Sequence, residues 1–495
     1  MREPDPDGGA PDVVATRWRW GVAVAALVSV LLRLRFVWTP LTSDEGGFLS
    51  IARAWRHGAV LYRDVWVDRP QGLLAVFRVW DTIGLGSPEG IRVLAILAGV
   101  LAVLACASIA RTLFDPAAAV LAALFVAVLS SVPQIEGFIA NGELLSGAVG
   151  AAALAVALRA LQAASPMRIS RLYAAGLLGG AAISIKQSGF DAVVTGALAC
   201  MGTALAQPEV RKAALRGAAA IVAGIATVLA VLLVHGALTG WSRWWYAFVG
   251  YRLEQRSIAT NADFSRFSFT WHIAAPIVLP AIAATVACLL ARWRSAMSLR
   301  VGVLVTWMAL ATLAFAAGGQ FHRHYWVILS FPLGTVAAAA ISLQPRRWMR
   351  VTLAALVVAV PLWRAGQGIA LSRDQVALKL SDDGRLVHNE ALGHWFETNA
   401  KPGESLYVLC ASAAAYASAH TDPPYPFLWM DNVLQARGAQ AQLRSLLTAP
   451  RRPTYVAVYQ RPQDCDPSGT VAAALDEHYE RVGSVSGVAV YRALI

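Results

Sequence analysis

The chain has 495 residues, 57% of them hydrophobic and only 15% charged, with a mean hydropathy of +0.53. Ordinary soluble domains carry about 25% charged residues, so a wholly soluble protein is excluded. The formal net charge of +12 does not point to nucleic acid, because the cations of a multi-pass membrane protein collect in loops on one side.

In chain order, residues 1–18 form a polar tail without a cleavable signal pattern. Eleven apolar blocks follow, near 19–39, 91–111, 117–133, 143–162, 172–185, 190–206, 215–239, 271–291, 301–318, 325–343 and 350–366. Most are long enough to cross the roughly 30 Å hydrocarbon layer as a helix. The fifth and sixth are short, with the polar "KQSG" between them, which reads as a broken or re-entrant pair. Arg17 and Arg19, Arg111, Arg168 and Arg171, Arg211 with Lys212 and Arg216, Arg292 with Arg294 and Arg300, and Arg346 with Arg347 and Arg350 fall in alternate connections. That bias places the N-terminus in the cytoplasm and, with an odd number of spans, the C-terminus outside a plasma membrane.

Two external segments are long: 42–90, and 240–270 with "WSRWWYAFVGYRLEQR", whose aromatic residues suit the headgroup layer. The expected transmembrane domain is 19–368. From 369 to 495 the short β-rich runs "ESLYVLCA", "PTYVAVYQ" and "GVAVYRAL" alternate with helical stretches. They read as a small extracytoplasmic α/β domain packed on the external loops. Of five cysteines, Cys106, Cys200 and Cys288 lie in apolar blocks, and Cys410 and Cys465 are a possible external disulfide. No Cys/His metal spacing occurs, and no metal or cofactor is expected.

The chemistry concentrates at "LTSDEGGFLS" (41–50). Ser43 reads as a helix N-cap, Asp44 and Glu45 as first-turn carboxylates, and Phe48, Ile51, Ala52 and Trp55 as one apolar face. The expectation is a helix lying on the membrane surface with two carboxylates at its start. The same loop continues with Arg63, Asp64, Asp68 and Arg69, then a second surface helix. Asn141 and Glu143 share the external face, as candidates to bind a sugar or acceptor, and Arg63 and Asp68 are placed with them. His322, Arg323 and His324 begin a span; as i and i+2, the two histidines do not share a helical face and a zinc pair is not expected. A carboxylate can take a proton from an acceptor hydroxyl, and cations can hold a phosphate leaving group. Sugar transfer from a lipid phosphate needs both.

The ordered set "SDEGGFL", "GAVLYRDVWVDRPQG", "GSPEGIRVLA", "EGFIANGELLSGA", "GAAISIKQSG" and "GQFHRHYWVILSFPLG" resembles the GT-C glycosyltransferases of the protein O-mannosyltransferase and aminoarabinose-transferase type, over about residues 20–345. The resemblance implies a polytopic helical GT-C fold of about 11 spans, two surface helices in the first external loop, and a polyprenyl-phosphate sugar as donor. It implies an inverting transferase acting on a glycan, lipid or protein acceptor. The family's acidic residue falls on Asp44, with Glu45 as partner. The donor phosphate would meet Lys186, Arg69, Arg323 and His324. Two family elements are altered: "DRPQG" stands where relatives commonly carry a His or Lys followed by two prolines, and "KQSG" stands for a Lys-Gly-Pro-like element. A secondary transporter and a catalytically inactive GT-C-like envelope protein are the alternatives.

Overall fold

Uncharged runs of Ala, Leu and Val have no way to satisfy their backbone in lipid except as helix, and helices dominate the chain. The computed structural model describes residues 11–162, 168–258, 261–291, 299–381, 383–409 and 412–494. Among these, eight helices are long and apolar enough to cross a membrane: Arg17–Trp38, Pro88–Leu113, Gly142–Gln162, Pro208–Thr239, Phe264–Leu290, Leu299–Ala317, Tyr325–Ser342 and Arg347–Ile369. Three more apolar helices, Pro116–Leu129, Ile169–Ile185 and Asp191–Ala206, are shorter. All eleven coincide with the apolar blocks. The fifth and sixth are two separate helices: the first ends at Lys186, whose extended backbone (φ −147°, ψ 130°) breaks the helical path before Asp191 starts the next.

The first long connection holds two helices, α1 (Ser43–Arg56) and α2 (Gln71–Thr82). Phe48, Ile51 and Ala52 of α1 are buried. Two buried arginines fix the connections around them. Arg33 donates to the carbonyls of Ser130 (2.7 Å) and Gly137 (2.8 Å), holding the turn between Leu129 and Gly142. Arg92 pairs with Glu45 at 3.0 Å and donates to the Pro40 carbonyl at 2.7 Å. Each links a spanning helix to a connection that carries site residues.

The C-terminal region forms a four-stranded sheet of β1 (Leu406–Leu409), β2 (Tyr455–Val458), β3 (Tyr479–Val485) and β4 (Val488–Ala493), in the order β1-β2-β4-β3. β1 and β2 are parallel, as an intervening helical connection requires, and the other pairs are antiparallel. β3 is additional to the three β-rich runs; its "YERVGSV" is mostly exposed and lacks an apolar alternation. This region docks on the first connection: Trp66 N–H donates to the Pro426 carbonyl (2.9 Å), and Arg53 to the Ala417 carbonyl (3.1 Å). Closest of all is the Gly46–Gly47 pair. A Cβ on Gly46 would stand 2.4 Å from Ala414 Cα, and one on Gly47 would stand 2.5 Å from the Trp429 ring. Cys106, Cys200 and Cys288 are free and buried, while Cys410, half of the possible disulfide, lies outside the described residues.

Candidate functional site

Helix α1 begins one residue earlier than expected. Thr42, not Ser43, is the N-cap: its hydroxyl accepts from Glu45 N–H (3.3 Å), and Glu45 Oε2 accepts from Thr42 N–H (3.1 Å). This reciprocal capping box satisfies two donors that a helix start leaves open. It releases the Ser43 hydroxyl for tertiary contacts, to Asp383 Oδ2 and Ser412 Oγ, each at 3.2 Å.

The cap also separates the two carboxylates. Glu45 is fully buried; beyond the cap it accepts from Ala140 N–H (2.9 Å) and pairs with Arg92. Its oxygens are occupied and it does not line the cavity beside it. Asp44 does. Its Oδ1 accepts from the indole N–H of Trp429 at 3.2 Å, and it borders a cavity of about 450 Å³. Burial pushes the Asp44 carboxyl above its usual range; His324 and Arg69 oppose that, and Glu143 and Glu136 reinforce it.

Across the cavity stand Arg69, Arg252, Arg266, Arg323, His322 and His324. Arg69 is held by Asp68 Oδ2 at 2.8 Å, and Arg252 also pairs with Asp68. Burial pushes Asp68 up, but Arg252 and Arg69 hold it below the usual carboxylate range. The pair therefore stays charged. Arg323 donates to the carbonyls of Lys379 (3.2 Å) and Leu380 (2.7 Å) and lies 5.2 Å from the Phe269 ring centre.

Glu136 lines the cavity in a left-handed conformation, φ 57°, which a non-glycine residue adopts at a cost of order 1–3 kcal/mol. It accepts from His324 Nδ1–H at 2.8 Å, and His324 Nε2 lies 3.7 Å from Glu143. Burial opposes charge on His324, but Glu143 and Glu136 raise its pKa above the usual histidine value. His322 is pushed the other way, by burial, His324 and Arg266. The two imidazoles stack, with centres 5.5 Å apart and planes 9° apart. The expectation that they diverge assumed helical geometry, whereas both precede the helix that begins at Tyr325. Among the described residues no group of three or more His, Cys, Asp and Glu side chains is placed to hold a metal ion.

The remaining sequence candidates scatter. Lys186 is buried behind the cavity wall, paired with Glu143 and 4.3 Å from the Tyr325 ring centre; neither it nor Glu143 lines the cavity. Asn141 caps the following helix through Oδ1, accepting from Leu144 N–H at 2.8 Å. Arg63 is exposed, pairs with its neighbour Asp64 at 2.8 Å and does not line the cavity. Asp383, Trp429, Asp431 and Asn432 from the C-terminal region, Arg252 from the second long connection and Arg266 from the start of the Phe264–Leu290 helix line the cavity and were not singled out by sequence. Nothing local marks them, since folding alone brings them to Asp44.

Residues 68–237 match the family described as Dolichyl-phosphate-mannose-protein mannosyltransferase. No curated protein matches the chain in sequence. Among solved structures, it is similar to ArnT from Cupriavidus metallidurans bound to undecaprenyl phosphate, with a TM-score of 0.64 at 15% identity, over 96% of this chain and 98% of that one. The apo form of the same protein gives 0.61 at 17% identity, over 97% and 98%. The archaeal oligosaccharyltransferase AglB from Archaeoglobus fulgidus, in complex with an inhibitory peptide and a dolichol-phosphate, gives 0.57 at 14% identity, over 98% of this chain and 75% of that one. At these identities the likeness is one of fold.

Proposed function

We propose that the protein is an inverting membrane glycosyltransferase, moving a sugar from a polyprenyl-phosphate donor to an acceptor hydroxyl. The observation that carries this reading is the cavity itself: a carboxylate with a raised pKa, Asp44, faces Arg69, Arg252, Arg266 and Arg323 at the end of an apolar bundle. A base works best with its pKa near the operating pH, and burial moves Asp44 in that direction. Guanidinium groups retain their charge and offer paired donors to phosphate oxygens.

The step is a displacement at the anomeric carbon. The acceptor oxygen forms the new bond to C1 while its proton passes to Asp44. The bond between C1 and the phosphate oxygen breaks, and its electron pair leaves with the polyprenyl phosphate. The arginines stabilise the charge that develops there, in a site of low effective dielectric. His324, carrying charge between Glu136 and Glu143, adds to the positive wall. Lys186 acts from behind that wall, through Glu143. In this reading all eleven apolar helices cross the plasma membrane, the N-terminus is cytoplasmic, and the cavity and C-terminal region face outward. Loop arginines and the lipid-linked donor both suit that orientation.

The test is transfer by the purified, lipid-reconstituted protein of radiolabel from polyprenyl-phosphate-mannose to acceptor in membrane extracts. Label appearing in a non-lipid product supports the reading. Retention of all label on lipid, across mannose and other polyprenyl-phosphate sugars, rejects it.

A further inference from the structure

A second cavity, of about 590 Å³, adjoins the first in the C-terminal region, lined by Asp383, Gly384, Arg385, His388, Tyr459, Gln460, Ser486, Gly487 and Val488. Asp383 lines both cavities. We propose that this second cavity is an acceptor subsite, and that the acceptor is a hydroxyl-rich glycan chain lying across Asp383 with its reacting end at Asp44. The proposal rests on the transferase reading and adds the class of acceptor to it.

Three observations carry it. The first is chemistry. Among the described lining residues, the opposite charges Asp383 and Arg385 face each other through two contacts of 2.7 and 3.0 Å, which neutralises the wall and disfavours an ionic ligand. The remaining polar lining is hydroxyl, imidazole, amide and phenol, a mixture of donors and acceptors that sugar hydroxyls can match. The second is continuity. Ser43, next to Asp44, donates to Asp383 and lies 3.2 Å from Ser412; Asn389 donates to Ser412 (2.7 Å), and Tyr459 donates to Asn389 (2.7 Å). One hydrogen-bonded chain thus joins the start of α1 to the floor of the second cavity. The third is shape. Ser486 and Gly487 turn with positive φ, 50° and 88°, and hold the rim open beside His388, whose Nδ1 lies 3.1 Å from Ser486 Oγ. A volume of this size suits a few sugar units, and two adjoining cavities suit an extended chain.

The experiment uses the full-length protein carrying His388→Cys in lipid, assayed before and after alkylation with a bulky maleimide, with the unsubstituted protein treated in parallel. The probe is polyprenyl-phosphate-[14C]mannose with membrane extract as acceptor. Two products are counted: label transferred to protease-resistant macromolecule, and free mannose released when water replaces the acceptor. The ratio of transfer to release falls at least about tenfold on alkylation if the cavity holds the acceptor. An unchanged ratio with alkylation verified by mass, or parallel loss of both products, overturns the proposal. Transferred label that protease releases overturns the glycan class. Absence of both products from the unsubstituted protein, with the mannose donor and with the other polyprenyl-phosphate sugars alike, rejects the transferase reading itself, and the subsite with it. Should His388→Cys fail to fold, Ser486→Cys is alkylated and assayed in its place, with the same outcomes supporting or overturning the proposal.

Discussion

The indole N–H of Trp429 donates to Asp44 Oδ1 across 385 residues of chain, at 3.2 Å. The same ring closes over Gly47 and lies 5.7 Å, centre to centre, from Phe48. Trp429 therefore both orients the carboxylate and docks the C-terminal region on the helix that carries it. A donor to the carboxylate favours its charged form. Trp429→Phe keeps the packing and removes the donor. The Asp44 pKa then rises further, so the acid limb of the transfer pH profile moves to higher pH. The rate below that limb falls about fivefold, for one hydrogen bond worth about 1 kcal/mol, with donor KM unchanged. A profile that keeps its limb in place argues against the orienting role.

Gly46 meets Ala414 where no side chain has room. Gly46→Ala forces the two apart, with an overpacking cost of about 1–3 kcal/mol. Limited proteolysis should then release the C-terminal region, and transfer should fall with it. Undiminished docking in this variant would show that the backbone yields more easily than its geometry implies.

Glu45 and Arg92 are both fully enclosed and pair at 3.0 Å. Removing one charge strands the other, at a cost of about 3–5 kcal/mol. Glu45→Ala should therefore fail to accumulate in the membrane, rather than accumulate as an inactive enzyme. Joint replacement by Gln and Met recovers part of the yield. A Glu45→Ala protein that is folded but inactive would return Glu45 to the chemistry.

His324 gives a pH signature. Its pKa is raised in the folded protein, so its stabilising charge is fully present below the unfolded value of about 6.5 and is lost as pH rises through the folded value. Thermal unfolding of the wild type and His324→Gln should differ most at pH below about 6.5 and converge at alkaline pH. A difference that grows with pH would contradict the charged pairing with Glu136 and Glu143.

The bundle was legible because each span is an uninterrupted apolar block, and α1 because two carboxylates, two glycines and an apolar face follow in helical order. The position of the cap was not, since Thr42 and Ser43 are equally suited to it; the reciprocal bond with Glu45, three residues from Thr42, decides it. Separate roles for Asp44 and Glu45 were hidden for the same reason: adjacent helical residues point in different directions, and only the fold shows which direction holds Arg92 and which holds the cavity. Lys186 and Glu143 were visible as polar residues at helix ends, but their mutual pairing was not. Asp383 and Trp429 lie in connections with no periodic signal, Arg252 lies in the short helix Tyr251–Ile258, and only long-range packing brings the three to Asp44.

The central claim is that Asp44 takes the acceptor proton. Asp44→Asn preserves size and can still accept from Trp429, but cannot act as a base. With the protein folded and the polyprenyl-phosphate donor in excess, transfer by Asp44→Asn should fall at least about 100-fold, the lower range for loss of a general base. Transfer within roughly twofold of wild type, far short of the loss expected for a missing base, would contradict the account.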